Sequence, residues 1–383
     1  MRVQRIQLTN EHDVSFELIN EDGQPISVVS GFLRHLRARG CSPNTLSAYV
    51  YDLLHFMTFL QEHDLTYQAF RPPQALLFLE YLSQLSSRKA GRRLGLVLST
   101  TTPDGASATR LSPATINRMF AAVSSFYEYL ILAGHFPEHE NPIQKVPDPA
   151  ASHVSARHRP FMGSASRQKP MRRAVYVKTI RRVPRPMSDE QVQQLLESLS
   201  KKRDKAMLLL MLHGGLRPGE VLTLQLEDIQ YGRKRVVIRY RTEHPKRART
   251  KSRTERVVDL LLPETLRVVS EYVLSERPAD AESPYVFLVG GHGKRRYEPL
   301  GYHALVKLFE RHCRRVGIHD PWVTPHALRH THATRMFEQG MRELTLQKRL
   351  GHASPASTQI YTQVSDAVVV EEYRRALGEE KPV

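Results

Sequence analysis

Five side chains in the second half of the chain carry the functional groups needed to cleave a phosphodiester without a metal ion. A phenol can serve as the nucleophile, guanidiniums can hold the non-bridging oxygens of a phosphate, and imidazoles can move protons. The five are Arg217 in GGLRPGEV, His326 and Arg329 in HALRH, and His352 and Tyr361 in LGHASPASTQIYTQV. If the fold brings these side chains to one point, the set predicts an enzyme that breaks and rejoins DNA strands.

Glycines and a proline around Arg217 predict its position at the start of a helix. Gly214 and Gly215 allow the backbone to turn sharply before it, and Pro218 suits the first turn of the helix that follows. Glu220 comes three residues after Arg217, which is close enough to brace the guanidinium. On its own, Arg217 would be interpreted as an ordinary surface arginine, and it is the other motifs that favour a role in chemistry.

His326 and Arg329 lie three residues apart in TPHALRHTHAT, which begins with residues typical of a helix N-terminus. Side chains at this spacing share one helix face, with Cβ atoms roughly 5–6 Å apart, so both can approach a single phosphate. His330 and His332 belong to the same segment, and the three histidines His326, His330 and His332 together invite a zinc interpretation. The chain lacks an HExxH motif and paired cysteines, so His330 and His332 are expected to support the fold instead.

The last motif places the candidate nucleophile on a short helix. His352 directly follows Gly351, and Ser354 and Pro355 predict a helix start. Tyr361 then lies within that helix, nine residues after His352. A tyrosine on a short helix is usually a packing residue, so its interpretation as a nucleophile depends on the partners named above.

A basic segment between two predicted strands supplies a sixth candidate. Eleven lysines and arginines lie from Arg233 to Arg256, against Glu243 and Glu255. Because strands flank it, the segment is expected to form a long β-hairpin tip whose cations reach a DNA groove. Lys251 is the candidate for this role, although several neighbouring lysines and arginines could take it.

The composition indicates a basic protein with a polyanionic partner. The 383 residues include 56 lysines and arginines against 39 acidic residues, a formal net charge of +17, which is typical of proteins that bind nucleic acid. Two cysteines, Cys41 and Cys313, are too few for a disulfide framework or a cysteine-rich zinc site. The N-terminus has no signal-peptide pattern, and no apolar run approaches the roughly 20 residues of a membrane span. We therefore expect a cytoplasmic protein, associated with the nucleoid if bacterial, without a membrane partner.

Periodicity and turn residues divide the chain into four segments. Loose alternation of apolar residues predicts a β-hairpin in an N-terminal extension, and a period of three to four predicts four or five bundled helices after it. Ten lysines and arginines without any acidic residue mark a basic linker that is expected to follow phosphates, with a solvated tether as the alternative. The last segment is expected to be mainly helical with a small antiparallel sheet. The boundaries are 1–29 for the extension, 30–148 for the bundle, 149–187 for the linker and 188–383 for the last domain.

Local signals predict where several elements begin. Ser42 and Ser112 each precede a proline, and Ser188 forms a capping-box pattern with Gln191, so helices should start at all three positions. The predicted strands are 235–240, 255–260 and 285–289.

Four blocks of the second half, taken together, resemble the tyrosine recombinase (phage integrase) family. They are GLRPGEVLTLQLEDI, TKSRTERVVDL, TPHALRHTHATRMFEQG and LGHASPASTQIYTQV, and the resemblance extends over roughly residues 188–375 as the catalytic domain. SPNTLSAYVYDLLHFMTFL and LSPATINRMFAAVSSFYEYL look like the helical, SAM-like core-binding domain of that family. The resemblance implies a two-domain DNA clamp, and the N-terminal extension looks like that of transposon-borne integrases.

The resemblance also implies a function and its partners. The protein would be a site-specific recombinase that integrates, excises or transposes a mobile element through a 3′-phosphotyrosine, with no metal, ATP or other cofactor. It would act on double-stranded DNA at specific sites, as a homotetramer on that DNA. The resemblance is also compatible with accessory proteins. Residues 365–377 form an amphipathic stretch that would pack on a neighbouring subunit or on its own domain. The catalytic roles of the family carry over to Arg217, Lys251, His326, Arg329, His352 and Tyr361.

Three other interpretations stay open at this point. A type IB-like topoisomerase shares the chemistry but relaxes supercoils without a specific site. A non-catalytic, architectural DNA-binding protein would account for the basic segments, although not for the order of Arg, His, Arg, His and Tyr. A metal-dependent nuclease has the least support, because the sequence lacks clustered carboxylates for two metal ions.

Overall fold

The computed structural model divides into two compact units, Met1–Ile180 and Arg181–Val383. Both units are mainly helical with small antiparallel sheets, which confirms the predicted fold class. Among the helices of the described residues, none has the combined length and apolarity of a membrane span. The described residues are 1–7, 14–85, 110–136, 138, 140–147, 171–179, 185–241, 243–246, 248–250 and 255–351.

A β-hairpin and a group of helices form the core of the first unit. The two strands pair antiparallel, with Arg2 opposite Ile19 and Gln7 opposite Val14. They pack on the helices, with Leu18 and Ile19 buried in between. In chain order these elements are β1 (Arg2–Gln7), β2 (Val14–Ile19), α1 (Ser27–Ala38), α2 (Pro43–Glu62), α3 (Pro72–Gln84) and α4 (Pro113–Leu132).

Serine–proline pairs begin α2 and α4, as the sequence predicts. The Ser42 hydroxyl accepts a hydrogen bond from the Thr45 amide at 3.1 Å, and the Ser112 hydroxyl accepts one from the Thr115 amide at 3.2 Å. The proline that follows each serine occupies the first helical turn, where a missing N–H needs no partner. The two helices pack against each other in the core of the unit.

Part of the basic segment folds against this first unit. β3 (Lys145–Pro147) pairs antiparallel with β4 (Met171–Arg173). Beyond β4, the Asn117 side chain of α4 donates to the Val177 carbonyl and accepts from the Val177 amide, both at 2.8 Å. The stretch 171–179, which lies within the segment predicted as a linker, is therefore ordered by pairing with the first unit.

The second unit is built around one strongly apolar helix, α6 (Lys202–Gly214). Every side chain from Ala206 to Leu212 is buried, because α6 is enclosed by other elements of the unit. It packs most extensively on α8 (Pro263–Ser275) and α10 (Pro325–Glu338). The remaining helices are α5 (Asp189–Glu197), α7 (Pro218–Leu222), α9 (Tyr302–Arg315) and α11 (Glu343–Leu350).

The predicted capping box at Ser188 is present at the start of α5. The Gln191 amide donates to Ser188 Oγ and the Ser188 amide donates to Gln191 Oε1, both at 3.2 Å. These bonds satisfy amides that lack an intrahelical partner in the first turn. Thr324 likewise occupies the N-cap position of α10, although its side chain makes no capping bond.

A three-stranded antiparallel sheet joins the helices on one side of the second unit. Its order is β5 (Ile229–Gln230), β6 (Arg235–Ile238) and β7 (Arg256–Asp259). β6 and β7 confirm two of the predicted strands, in a shorter form.

The third predicted strand, at 285–289, is wrong. Only isolated bridges form in this run. The Val286 amide donates to the Leu224 carbonyl at 2.9 Å, and the Leu288 amide donates to the Tyr272 hydroxyl at 3.1 Å. A short apolar run indicates burial but not pairing, and here the backbone finds its partners in a loop and a side chain.

β6 and β7 pair antiparallel, so the segment between them is the connection of a β-hairpin, as the sequence predicts. The residues of this connection that the structure describes are 239–241, 243–246, 248–250 and 255. Among them, His244, Ala248 and Thr250 are only 2%, 3% and 4% exposed. Arg239 and Lys246 are exposed, whereas the Arg241 guanidinium donates to the buried carboxylate of Asp228.

Candidate active site

Arg217 lies at the junction of α6 and α7, where a glycine turns the chain. Gly215 has a left-handed φ of 64°, and a Cβ there would lie 2.5 Å from the His332 ring, so the position requires glycine. The turn brings Arg217 to the N-cap position of α7. Its amide donates to Glu220 Oε2 and its Nη1 donates to Glu220 Oε1, both at 2.8 Å. The predicted brace between Arg217 and Glu220 is confirmed.

Arg329 reaches the same carboxylate from α10. Its side chain is 3% exposed, and its Nη1 lies 3.9 Å from Glu220 Oε2. Nη1 also donates to the Gly215 carbonyl at 2.5 Å, and Nη2 donates to the Leu350 carbonyl at 2.7 Å. Arg217 Nη1 donates to that Leu350 carbonyl as well, at 3.3 Å. The two guanidiniums therefore converge on one carboxylate, with which both form ion pairs, and on one backbone carbonyl, to which both donate.

A third arginine, Arg256, approaches Glu220 from the start of β7. Its Nη1 and Nη2 donate to the two carboxylate oxygens at 2.9 and 2.8 Å, which is a bidentate pair. Its Nε donates to the Arg349 carbonyl at 3.0 Å. We call Arg217, Arg256 and Arg329 the arginine cluster.

Glu220 is fully buried and stays ionised at the centre of the arginine cluster. Burial alone would raise its pKa, but the hydrogen bonds and charge of Arg256, with the charges of Arg329 and Arg217, outweigh burial and lower the pKa to about 2. One carboxylate against three guanidiniums leaves a net positive charge. The cluster can therefore accept an anion, and guanidiniums match the geometry of phosphate oxygens.

The C-terminal end of α11 supplies further acceptors to the arginine cluster. The helix ends at Gly351, which has a left-handed φ of 64°. The carbonyls of Arg349, Leu350 and Gly351 all accept hydrogen bonds from the cluster. The last carbonyls of a helix have no intrahelical partner and carry the negative end of the helix dipole. The guanidiniums supply hydrogen-bond donors to the last carbonyls of α11, and these carbonyls in turn hold the guanidiniums in place.

The histidines of α10 differ in burial. His326 is exposed, about one turn before Arg329 on the same helix. His332 is buried, with its Nδ1 donating to the Leu212 carbonyl at 2.8 Å and its Nε2 accepting from Arg349 at 3.1 Å. Burial, together with the charge of Arg349, lowers the pKa of His332 to about 3. His332 is therefore neutral and joins α10 to α6 and α11, which agrees with its predicted supporting role.

His330 is the remaining residue of the zinc interpretation. It is half-buried, and burial together with the charges of His326 and Arg329 lowers its pKa to about 4. Within the described ranges, no three side chains of His, Cys, Asp or Glu come together in a way that could hold a metal ion.

Half of the predicted site residues lie in the part of the chain that the structure describes. Arg217 and Arg329 come together, and His326 lies on the same helix as Arg329. The described chain ends at Gly351, whose carbonyl contacts Arg217 at 3.2 Å. The other predicted site residues, Lys251, His352 and Tyr361, lie outside the described residues.

Two sequence models of a known family match the chain. The model described as the Phage integrase family matches residues 185–367, and the model described as the Phage integrase, N-terminal SAM-like domain, matches residues 29–102. The chain belongs to the phage integrase family. One matched range falls in each compact unit, and the resemblance found in the sequence blocks is confirmed.

Individual relatives match the chain over nearly its full length. Transposase A from transposon Tn554 of Staphylococcus aureus is 29% identical over 98% of this chain and 98% of its own. Tyrosine recombinase XerA of Pyrococcus horikoshii is 25% identical over 91% of both chains. Among solved structures, the Tn1549 transposon integrase in complex with transposon right end DNA covers 91% of this chain and 99% of its own, with a TM-score of 0.59 and 17% identity. At that identity the structural likeness shows the fold alone.

Arg256 is the member of the arginine cluster that sequence reasoning misses. It lies in the block TKSRTERVVDL, but nothing in its spacing points to Glu220. The one usable signal for Arg256 is the alternation of side chains along β7. Arg256 lies on the same face of the strand as Val258, which is 1% exposed, whereas Val257 on the other face is 47% exposed. An arginine on an inward face requires a buried acceptor.

Proposed function

We propose that this protein is a site-specific DNA recombinase that cuts and rejoins strands through a 3′-phosphotyrosine. The observation that carries the proposal is the convergence of Arg217 and Arg329 on one carboxylate and one carbonyl. The similarity to Transposase A of Tn554 over 98% of both chains supports a role in moving a mobile element, by integration, excision or transposition.

The first chemical step is attack by Tyr361 on a backbone phosphorus. A bond forms between the phenolic oxygen and phosphorus, the bond to the 5′ oxygen breaks, and a free 5′ hydroxyl is released. A tyrosine has an ordinary pKa near 10, so it needs a proton acceptor, and His326 serves this function. Arg217 and Arg329 hold the non-bridging oxygens and stabilise the charge of the pentacoordinate transition state.

Lys251 and His352 complete the site. Lys251 gives a proton to the leaving 5′ oxygen, because an alkoxide leaves poorly without one. His352 donates a hydrogen bond to the phosphate. The sequence supports this placement, since His352 follows Gly351 directly and the Gly351 carbonyl contacts Arg217.

Rejoining is the reverse reaction with another strand. The 5′ hydroxyl of that strand attacks the phosphotyrosine, and the phenol leaves, so the bond energy is conserved and no ATP is consumed. Exchange between two duplexes requires four cleavage events, and the working form is therefore a homotetramer on double-stranded DNA. The net charge of +17 supports affinity that comes mainly from phosphate contacts and weakens at high salt.

The two matched ranges support a division into two domains joined by a linker. In this assignment residues 30–148 are the core-binding domain, 149–187 the basic linker and 188–383 the catalytic domain. The N-terminal residues 1–29 extend the core-binding domain, and the β1–β2 hairpin packed on its helices supports this assignment.

The convergence of the arginines favours an enzyme over a non-catalytic DNA-binding protein. Phosphate contacts that only give affinity are made by exposed cations at the surface. Arg329 is 3% exposed and is held at fixed acceptors, which is the preorganisation that transition-state stabilisation requires.

A covalent-trapping assay tests the proposal. Duplexes spanning the junctions between the encoding mobile element and its flanking DNA are nicked beside each candidate cleavage position and incubated with the protein. We expect a denaturation-resistant protein–DNA adduct that resists EDTA, is lost in Tyr361→Phe, and persists in Tyr231→Phe, a matched change at a tyrosine that is 42% exposed.

Two outcomes would contradict the proposal. An adduct that forms with Tyr361→Phe would show that the nucleophile is another residue, and a complete block by EDTA would show a metal-dependent reaction. A supercoiled plasmid that carries two recombination sites distinguishes a recombinase from a topoisomerase. Relaxation of the supercoils without recombination would indicate a topoisomerase.

A further inference from the structure

We call residues 239–255, which connect β6 and β7, the β6–β7 loop, and within it the backbone of Arg249 packs against the first turn of α7. A Cβ at Gly219 would lie 2.4 Å from the Arg249 carbonyl oxygen and 3.4 Å from its carbonyl carbon, whereas real Cβ contacts stay above 3.0 Å. The neighbour is backbone, which cannot swing aside as the end of a side chain can. Gly219 therefore sets how closely the loop approaches the turn that carries Arg217 and Glu220.

The Thr250 hydroxyl forms hydrogen bonds across the β6–β7 loop to the backbone of Arg241. It accepts a hydrogen bond from the Arg241 amide at 2.9 Å and donates one to the Arg241 carbonyl at 3.2 Å. Thr250 is 4% exposed, so bulk water competes little for either bond. Both arms of the loop are thereby held together at the residue that precedes Lys251 in the sequence.

Contacts with the rest of the second unit hold two described residues of the β6–β7 loop. Arg241 Nη2 donates to Asp228 Oδ1 and to Glu227 Oε1, each at 3.0 Å, and the Asp228 side chain is fully buried. The His244 ring packs edge-to-face on Tyr285, with centroids 4.7 Å apart. These contacts fix Arg241 and His244 on the second unit.

We propose that the β6–β7 loop is a folded support for the proton donor, with Gly219 and Thr250 as positioning residues for Lys251. The inference rests on the proposed function, in which Lys251 protonates the leaving oxygen. Gly219 follows Arg217 by two residues, and Arg249 precedes Lys251 by two. The contact between Gly219 and Arg249 thus links the phosphate-holding arginine to the proton donor by a short path of covalent bonds and one close backbone approach.

The reaction step that depends on this support is departure of the 5′ oxygen. When the bond from phosphorus to this oxygen breaks, the electron pair stays on oxygen and the proton comes from the Lys251 ammonium. Sulfur at the same bridging position removes the need for a proton donor. Because a thiol has an ordinary pKa of about 8.5, the sulfur leaves readily as a thiolate. Sulfur therefore corrects a defect in proton donation, but it does not correct a defect in the arginine cluster or in folding.

The experiment compares two synthetic duplexes that span the mapped cleavage position, with oxygen or sulfur at the bridging 5′ atom. The rate of covalent adduct formation is measured in a single turnover for each. Lys251→Ala should slow the oxygen duplex by about 10²-fold or more, as loss of a general acid does, and leave the sulfur duplex unchanged. Gly219→Ala should show the same selective loss, of about 10²-fold if the donor moves by roughly 1 Å.

Matched variants separate positioning from a general structural effect. Gly232→Ala makes the same change where a Cβ meets nothing within 4 Å, so both duplexes should react at the wild-type rate. Thr250→Val keeps the side-chain shape but removes the hydroxyl, and it should slow only the oxygen duplex, by roughly tenfold. Thr250→Ser restores the hydroxyl and should restore the rate. If Gly219→Ala fails to fold, the Thr250 pair still decides the question.

Equal slowing of both duplexes by Gly219→Ala or Thr250→Val would overturn the proposal, as would the absence of any slowing. Failure of sulfur to rescue Lys251→Ala would instead refute the role given to Lys251 under the proposed function. Sulfur rescue of Lys251→Ala without rescue of Thr250→Val would refute the inference about the loop alone.

Discussion

Replacing Glu220 with glutamine should destabilise the second unit and remove a pH dependence from it. Glutamine keeps the shape of the side chain and one acceptor oxygen, but it removes the negative charge between the three guanidiniums. Glu220 is the residue to change because it accepts hydrogen bonds from both Arg217 and Arg256 and lies 3.9 Å from Arg329.

The magnitude follows from the pKa of Glu220, which is lowered from 4.5 to about 2 in the folded protein. A difference of this size corresponds to roughly 3 kcal/mol of stability for the ionised form. Breaking a buried ion pair by removing one partner costs about 3–5 kcal/mol, which agrees. We therefore expect Glu220→Gln to lower the free energy of unfolding by about 3 kcal/mol at neutral pH.

The sign of the pH dependence follows from the lowered folded-state pKa. The contribution of Glu220 is fully present above the unfolded pKa of 4.5, and it is lost as the pH falls toward about 2. In that window the unfolded state binds a proton that the folded state does not. The wild type should lose roughly 1.4 kcal/mol per pH unit relative to Glu220→Gln.

Urea unfolding, followed by the fluorescence of Trp322, is a direct assay. Trp322 is the single tryptophan of the chain and belongs to the second unit. Glu197→Gln is the control, because it removes the same charge at an exposed position of α5. A gap between the wild type and Glu220→Gln that stays constant from neutral pH to about pH 3 would refute the assigned electrostatics, and an equal loss in Glu197→Gln would show a general charge effect.

Two further predictions concern other buried charges. Arg256→Gln should lower the free energy of unfolding by about 3 kcal/mol, and a double-mutant cycle with Glu220→Gln should give a coupling of about 1 kcal/mol or more; additive losses would contradict the bidentate pair. Burial raises the pKa of Asp52 on α2 from 3.8 to about 7, although the charge of Arg118 at 2.8 Å opposes the shift. Between pH 3.8 and about 7, the folded state therefore holds a proton on Asp52 that the unfolded state releases. The stability of the first unit should therefore fall as pH rises through that range, and hydrogen exchange of the α2 and α4 amides should lose this trend in Asp52→Asn but keep it in Asp22→Asn.

The sequence predicts well those features of the site whose partners are close along the chain. The capping box at Ser188 and the brace between Arg217 and Glu220 each join residues three positions apart. Their geometry follows from the period of the helix alone, whatever the rest of the chain does. The same locality explains why the Ser42 and Ser112 helix starts could be predicted.

Contacts between distant segments could not be predicted from local patterns. Arg256 and Glu220 are 36 residues apart, and Arg217 and Leu350 are 133 apart. Whether such residues meet depends on how whole helices pack around α6, which no short window of sequence encodes. The burial of part of the β6–β7 loop could not be predicted for the same reason, because the sequence does not show that Arg241 has the buried Asp228 as its partner.

The arginine cluster is assembled before any DNA arrives, and its charge balance suits the proposed chemistry. Three guanidiniums would repel one another, but the Glu220 carboxylate and the C-terminal end of α11, equivalent to roughly half a negative charge, offset about half of their positive charge. A net positive charge of roughly one and a half then remains. A phosphodiester carries one negative charge, and a second develops as the tyrosine attacks, so the residual charge is matched to the transition state more closely than to the substrate. An additional carboxylate would cancel the attraction between the arginine cluster and a phosphate. Loss of Glu220 would leave the three guanidiniums repelling one another and would destabilise the fold. A single buried acid among three arginines avoids both effects.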